Sequence, residues 1–293
     1  QEEEVKVSGP HHDAMHRPVI EEKAKTSVAM VTGARALKIS ERIPSPINIM
    51  GIPVVPFESY DQALECIEET IESDKKSFWV AINPVKIYNA WHKAELLNLL
   101  KQADVGICDG VGISIASKIL YRRGIQRCTG CALFLKLLFL ASRKGWGVYM
   151  LGASAQVNAI ARSELKKMYP NLRIVGWHDG YFEDSHRIIE HINSSRASLL
   201  FVAMGSPKQE YWIWHHRQAI NANFCMGVGG DFEITSGGLR RTPKIFRMTG
   251  TEFLFRLAME PRKRLSNQKL LLYFLLRVIG KKLSDTDAPI EWA

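Results

Sequence analysis

Short apolar runs that end in turn-forming residues recur along this chain with helical stretches between them, and this alternation restricts its folding most. SFWVAIN reads as a buried strand that stops at Asn83 and Pro84, and KIYNAWHKAELLNLLKQA after it repeats its apolar residues at helical spacing. ADVGICDG, WGVYMLGAS, LRIVGWHDGYF and NFCMGVGGDFEITSG read likewise as strand and turn, while ASLLFVAMGSPKQEYW reads as strand and then loop. GISIASKILYRRG, LFLKLLFLASRKG, QVNAIARSELKKMYP and DSHRIIEHINSS carry helical patterns. Ahead of this series INIMGIPVVPF predicts a first strand and turn, and Tyr60 through Ile71 predicts a helix with Ala63, Leu64, Ile67 and Ile71 on one side. Strand alternating with helix is the pattern of an α/β fold with a largely parallel sheet.

The 293 residues suffice for a sizeable core. Residues 1–45 are polar and uneven and predict an extension outside it. Residues 46–238 form the Rossmann-like α/β core with flanking helices, 239–283 a basic amphipathic helical appendage, and 284–293 a tail. The net charge of +9 belongs to the appendage, where twelve Lys or Arg stand against Glu252 and Glu260 between Arg240 and Leu283. Such a segment seeks phosphate, on a nucleotide diphosphate, an anionic lipid or a nucleic acid.

The acidic opening QEEEVKVSGPHHDAMHRP lacks the apolar segment of a secretion signal. In LLLYFLL the apolar run meets Arg277 and Lys281 before reaching the ~20 residues a membrane span needs. The chain is therefore expected to lie on a membrane without crossing it. Cys66, Cys108, Cys128, Cys131 and Cys225 are scattered, which fits a reducing compartment better than a disulfide framework. The CxxC of Cys128 and Cys131 has no second pair or nearby His to complete a metal site. A nucleic-acid-binding module is disfavoured, because no helix-turn-helix, zinc-finger, RRM or KH pattern accompanies the charge.

Ligands of open α/β sheets gather beyond the carboxyl ends of the strands. Asn83, Asp109, the LGAS turn with Gly152, the GSPKQE loop with Gly205, Lys208, Gln209 and Glu210, and the VGGD turn with Gly229 all fall there. Five separate segments thus point to one rim, although neither GxGxxG nor GxxxxGK[ST] is present. Asp109 either caps the helix that begins near Ile113 or serves as a general base. Gly152 either makes a turn only or lets the backbone approach a phosphate or sugar. His178 and Asp179 read as turn residues, and His186, His191, His215 and His216 form no ligand cluster, so no metal is expected.

In order along the chain, AINPVKIYNA, ADVGICDGVGI, VYMLGAS, YPNLRIVGWHDGYF, VAMGSPKQEYWI, MGVGGDFEITSGGLRRTPKIF and GTEFLFRLAMEPRKR resemble the WecG/TagA/CpsF family of bacterial glycosyltransferases, over about residues 48–280. The resemblance implies transfer of an N-acetylmannosamine-type sugar, its uronic acid or a glucose from a UDP donor to an undecaprenyl-diphosphate-linked sugar in cell-surface polysaccharide synthesis. It further implies inversion, independence of metals and cofactors, a peripheral place on the cytoplasmic face of the bacterial inner membrane, and a homo-oligomer.

By the same resemblance Asp109 is the catalytic base, and Asn83, Gly152, Gly205, Lys208, Gln209, Glu210, Gly229 and Glu233 surround the nucleotide sugar. Among Arg240, Arg241, Lys244, Arg256, Arg262 and Arg264, the diphosphate falls to Arg256 and Arg262 in FRLAMEPRKR, whose guanidinium forks suit phosphate. Thr129 and Ala132 mark the acceptor region. The chain departs from the family at three places. Ala132 stands where T-G-x-D-L has an aspartate, Glu233 follows Phe232 where an aspartate is frequent, and Ala81 and Val85 flank Asn83 where threonine and glutamate are frequent. The competing reading, which Ala132 favours, is a non-catalytic membrane-associated protein that binds a nucleotide sugar or lipid diphosphate without turnover.

Overall fold

The chain enters the fold through a hairpin of β1 (Ile47–Ile49) and β2 (Ile52–Val54). Met50 and Gly51 between them both have positive φ, 54° and 93°, as a two-residue type I′ turn requires, and Asn48 Oδ1 accepts the Gly51 N–H at 2.6 Å. Beyond β2 the Val55 N–H donates to the Gly106 carbonyl, which lays this segment along one edge of the main sheet. In this computed structural model the described residues are 43–239, 242–249, 251–259 and 261–284. Nearly all of the expected extension over 1–45, and the tail after Ser284, lie outside them.

The main sheet holds β3 (Ser77–Ile82), β4 (Val105–Cys108), β5 (Gly147–Gly152), β6 (Arg173–His178), β7 (Leu199–Ala203) and β8 (Phe224–Gly227). They are all parallel, in the order β4-β3-β8-β7-β5-β6. Both faces are covered, and successive side chains divide between two cores: Tyr149 and Leu151 of β5 enter one, Val148 and Met150 the other.

The first core receives α2 (Pro84–Trp91), α3 (Ala94–Gln102), α4 (Val111–Tyr121), α7 (Ser185–Ser194) and α8 (Lys208–His216). The second receives α1 (Tyr60–Glu72), α5 (Gly130–Lys144), α6 (Ala155–Met168) and α9 (Asp231–Thr235). This is the Rossmann-like arrangement that the alternation predicts.

Two local expectations change. KIYNAWHKAELLNLLKQA is two helices, broken at His92 and Lys93, where Lys93 is extended at φ −139°. The GSPKQEYW segment, read as loop, turns helical at Lys208, because Trp212 and Ile213 bury against the sheet.

After β8 come α9, α10 (Lys244–Thr249), α11 (Glu252–Met259) and α12 (Pro261–Ser284). The 24 residues of α12 make a rod of about 36 Å. It packs on α2 and α4, with Phe274 and Val278 fully buried, Phe274 stacked on Trp91, and Lys282 Nζ donating to the Leu120 carbonyl at 3.1 Å. Its outer side leaves Leu272, Leu276 and Leu283 more than half exposed. The apolar residues of the basic segment therefore serve two directions, some closing the core and some facing out. Among the described residues no helix is long and apolar enough to cross a membrane.

Candidate active site

The helices that come after the neighbouring strands β5 and β7 pack on opposite faces of the sheet: α6 through Ala161 and Leu165, α8 through Trp212 and Ile213. The chain leaves β5 toward β6 and leaves β7 toward β8, so a crevice opens where the two connections part. A cleft of about 380 Å³ occupies this place, between the start of α6, the start of α8 and the turn after β8.

Four kinds of chemistry line the cleft. Ser154 caps α6, accepting the Val157 N–H at 3.2 Å, and Ala153, Ser154 and Val157 at this helix start form one wall, an end of the helix that favours an anion. The exposed cation Lys208 stands opposite. The ring of Tyr181, 82% exposed, offers a flat face at the mouth. Glu233 also lines the cleft, and its buried Oε2 has no hydrogen-bond partner among the described residues. An acceptor in that condition is suited to an N–H or O–H brought by a ligand.

Behind the cleft, Asn158 is fully buried and its Nδ2 lies 3.0–3.3 Å from the carbonyls of Met150, Gly152 and His178, tying the ends of β5 and β6. Gly152 is itself buried at φ 119°, and a Cβ there would stand 2.4 Å from the Ala203 carbonyl oxygen. Its need for glycine comes from the approach of β7, and Ala153 and Ser154 form the wall.

Asp109 lies farther along the same rim, at the end of β4. From β4 to β7 are three strand spacings, or about 14 Å. The cap of α4 is Gly110, without a side-chain bond, so Asp109 does not take the capping role. Its Oδ1 instead accepts the Gly130 N–H at 3.3 Å, at the start of α5.

The neighbouring loop is pinned by Tyr60, whose hydroxyl accepts the Thr129 N–H at 3.0 Å and sits 3.2 Å from Thr129 Oγ1. Burial raises the Tyr60 phenol, so it stays protonated at neutral pH. Burial first, and then the charge of Asp109, push the Cys108 and Cys128 thiols up to about 12. Both thiols are therefore protonated near neutrality. Ala132 occupies the first turn of α5, two residues beyond Gly130, and brings only a methyl group there. Among the described residues no three His, Cys, Asp or Glu side chains gather as a metal site.

The remaining candidates stand apart from the cleft lining. Asn83 caps α2, its Oδ1 accepting the Lys86 N–H at 2.9 Å. Gln209 and Glu210 are buried beneath the rim. Gly205, Lys208, Gly229 and Glu233 are the predicted residues that meet at the cleft. The side chains of Arg256 and Arg262, and the whole of Arg240 and Arg241, lie outside the described residues.

Sequence reading missed Tyr60, Lys86, Ser154, Asn158 and Tyr181. Ser154 ahead of AQVN carries a helix-cap signal, and Asn158 is a polar residue on an otherwise apolar helix side. The other three bear no local mark.

Residues 47–288 match the glycosyl transferase WecG/TagA/CpsF family. Over 218 residues, 74% of this chain and 84% of the relative, the sequence is 31% identical to an N-acetylglucosaminyldiphosphoundecaprenol N-acetyl-beta-D-mannosaminyltransferase of Bacillus spizizenii. A match that runs from the opening hairpin through the last long helix takes in nearly the whole described fold, and the chain belongs to the WecG/TagA/CpsF family of glycosyl transferases.

Proposed function

We propose that this chain transfers an N-acetylmannosamine-type sugar, its uronic acid or a glucose from UDP to a sugar carried on undecaprenyl diphosphate, with inversion at the anomeric carbon and no divalent metal. The observation that carries the reading is the placing of a switch-point cleft and a half-buried carboxylate, Asp109, at strand ends on one rim of the sheet. The B. spizizenii relative is named for the N-acetyl-β-D-mannosaminyl group and N-acetylglucosaminyldiphosphoundecaprenol, so that pair is the first to try.

In this reading the nucleoside sits in the cleft, with its base against Tyr181 and an N–H or hydroxyl bonded to Glu233 Oε2. The diphosphate meets the α6 amides and Lys208, which offset the charge that builds as UDP departs. The sugar then lies toward Asp109, which takes the proton of the acceptor hydroxyl as that oxygen attacks. The acceptor lipid comes from the cytoplasmic face of the inner membrane. Leu272, Leu276 and Leu283 of α12, with Lys269, Arg277 and Lys281 beside them, meet that surface as an interfacial helix does.

Transfer from a panel of UDP-sugars to an undecaprenyl-diphosphate-N-acetylglucosamine analogue, with EDTA present, tests the proposal. Product from one donor is the expected result. Binding of UDP without product from any donor would overturn it in favour of the non-catalytic reading. Tyr181→Ala is expected to weaken UDP binding by about 5- to 100-fold through loss of base stacking, read by calorimetry. Unchanged affinity would take the base away from this ring.

A further inference from the structure

A buried polar chain crosses the rim between the cleft and Asp109. Lys86 Nζ, from the first turn of α2, donates to Glu210 Oε1 at 2.8 Å. Gln209 Nε2 donates to the same oxygen at 3.0 Å, and Gln209 Oε1 accepts the Gly229 N–H at 3.0 Å. Lys86, Gln209 and Glu210 are 6%, 3% and 1% exposed. The three segments they join come after β3, β7 and β8, and β8 lies between the other two. Gln209 is pressed against the strand end it spans: a Cβ on Gly227 would stand 2.4 Å from its Nε2.

An ion pair this deep explains stability poorly. Removing two charges from water costs about as much as their attraction returns, and apolar replacements of both partners are often neutral or better. What such a pair does supply is geometry, since each group has few alternative partners. The far end of this chain is Gly229, which lines the cleft, as does Glu233 four residues on. Lys86 lines none of it.

We propose that Lys86 is a positioning residue: through Glu210 and Gln209 it holds the Gly229 turn, and with it the Glu233 wall of the cleft, in the form that receives the nucleotide. This role deepens the proposed transferase function and rests on it for the ligand, but hydrogen exchange at Gly229 reads it without any ligand.

The test is the double replacement Lys86→Met with Glu210→Leu, which removes both charges and leaves no buried ion behind. Thermal unfolding, amide hydrogen exchange at Gly229 and UDP titration calorimetry are measured together. The expected result is exchange at Gly229 faster by about tenfold, as loss of one hydrogen bond allows, with UDP affinity lower by a similar factor and a melting temperature close to wild type. Lys86→Arg, which keeps charge and donors, is expected to remain near wild type in all three. Wild-type exchange at Gly229 in the double variant overturns the proposal, whatever happens to the melting temperature. If the double variant does not fold, Lys86→Met with Glu210→Gln takes its place, since it removes the Lys86 donor and both charges at nearly constant volume, and unchanged Gly229 exchange there overturns the proposal equally. If the wild-type protein binds no UDP, the functional reading fails, and exchange alone decides the role of Lys86.

Discussion

Asp109→Asn is expected to lower the rate of sugar transfer by about 10²- to 10⁴-fold while leaving the fold and the affinity for UDP unchanged. Asparagine keeps the volume of the side chain and an oxygen to accept the Gly130 N–H, so the start of α5 stays where it is. It loses the basic oxygen that takes a proton. Because Asp109 follows β4 and lines none of the cleft, the loss belongs in the catalytic constant and not in donor binding. Initial rates over a donor titration, paired with UDP calorimetry, separate the two. A variant that kept more than about a tenth of the wild-type rate would remove Asp109 as the base, since base catalysis contributes more than that.

Phe274→Ala is expected to cost about 3–5 kcal/mol of unfolding free energy. The ring is fully buried in the core shared with the sheet and stacks on Trp91 with centroids 6.1 Å apart. Its loss leaves a cavity between α12 and α2 that neither helix can fill without losing its other contacts. Denaturant titration gives the number directly. A change below about 1 kcal/mol would mean that α12 is not docked on α2 in solution.

The alternating strands and helices were legible in the sequence because they rest on local period, and the rim came from the strand ends. Asn83, Asp109, Gly205, Lys208 and Gly229 all fall there as expected. The hidden part lies in pairings between distant segments. Lys86 meets Glu210 across 124 positions, and Tyr60 meets Thr129 across 69. Nothing beside Lys86 in the sequence distinguishes it from a lysine in water. The start of α8 was lost for a different reason. Gly205 and Pro207 are loop residues by local preference, and only the burial of Trp212 and Ile213 against the sheet draws the residues from Lys208 onward into a helix. The charge of α12 marks a basic appendage, but it says little about Phe274 and Val278 on the other side of that helix.

The seating of those two side chains bears on how the protein is made. Phe274 and Val278 share a core with Ile49 and Ile52 of the opening hairpin. Translation delivers the hairpin, every strand and the whole rim before it delivers the residues that cover α2 and α4. A nascent chain paused short of position 278 therefore holds a nearly complete sheet with one apolar side uncovered, a state open to aggregation or to capture by a chaperone. Synthesis of α12 supplies the cover and ends that exposure.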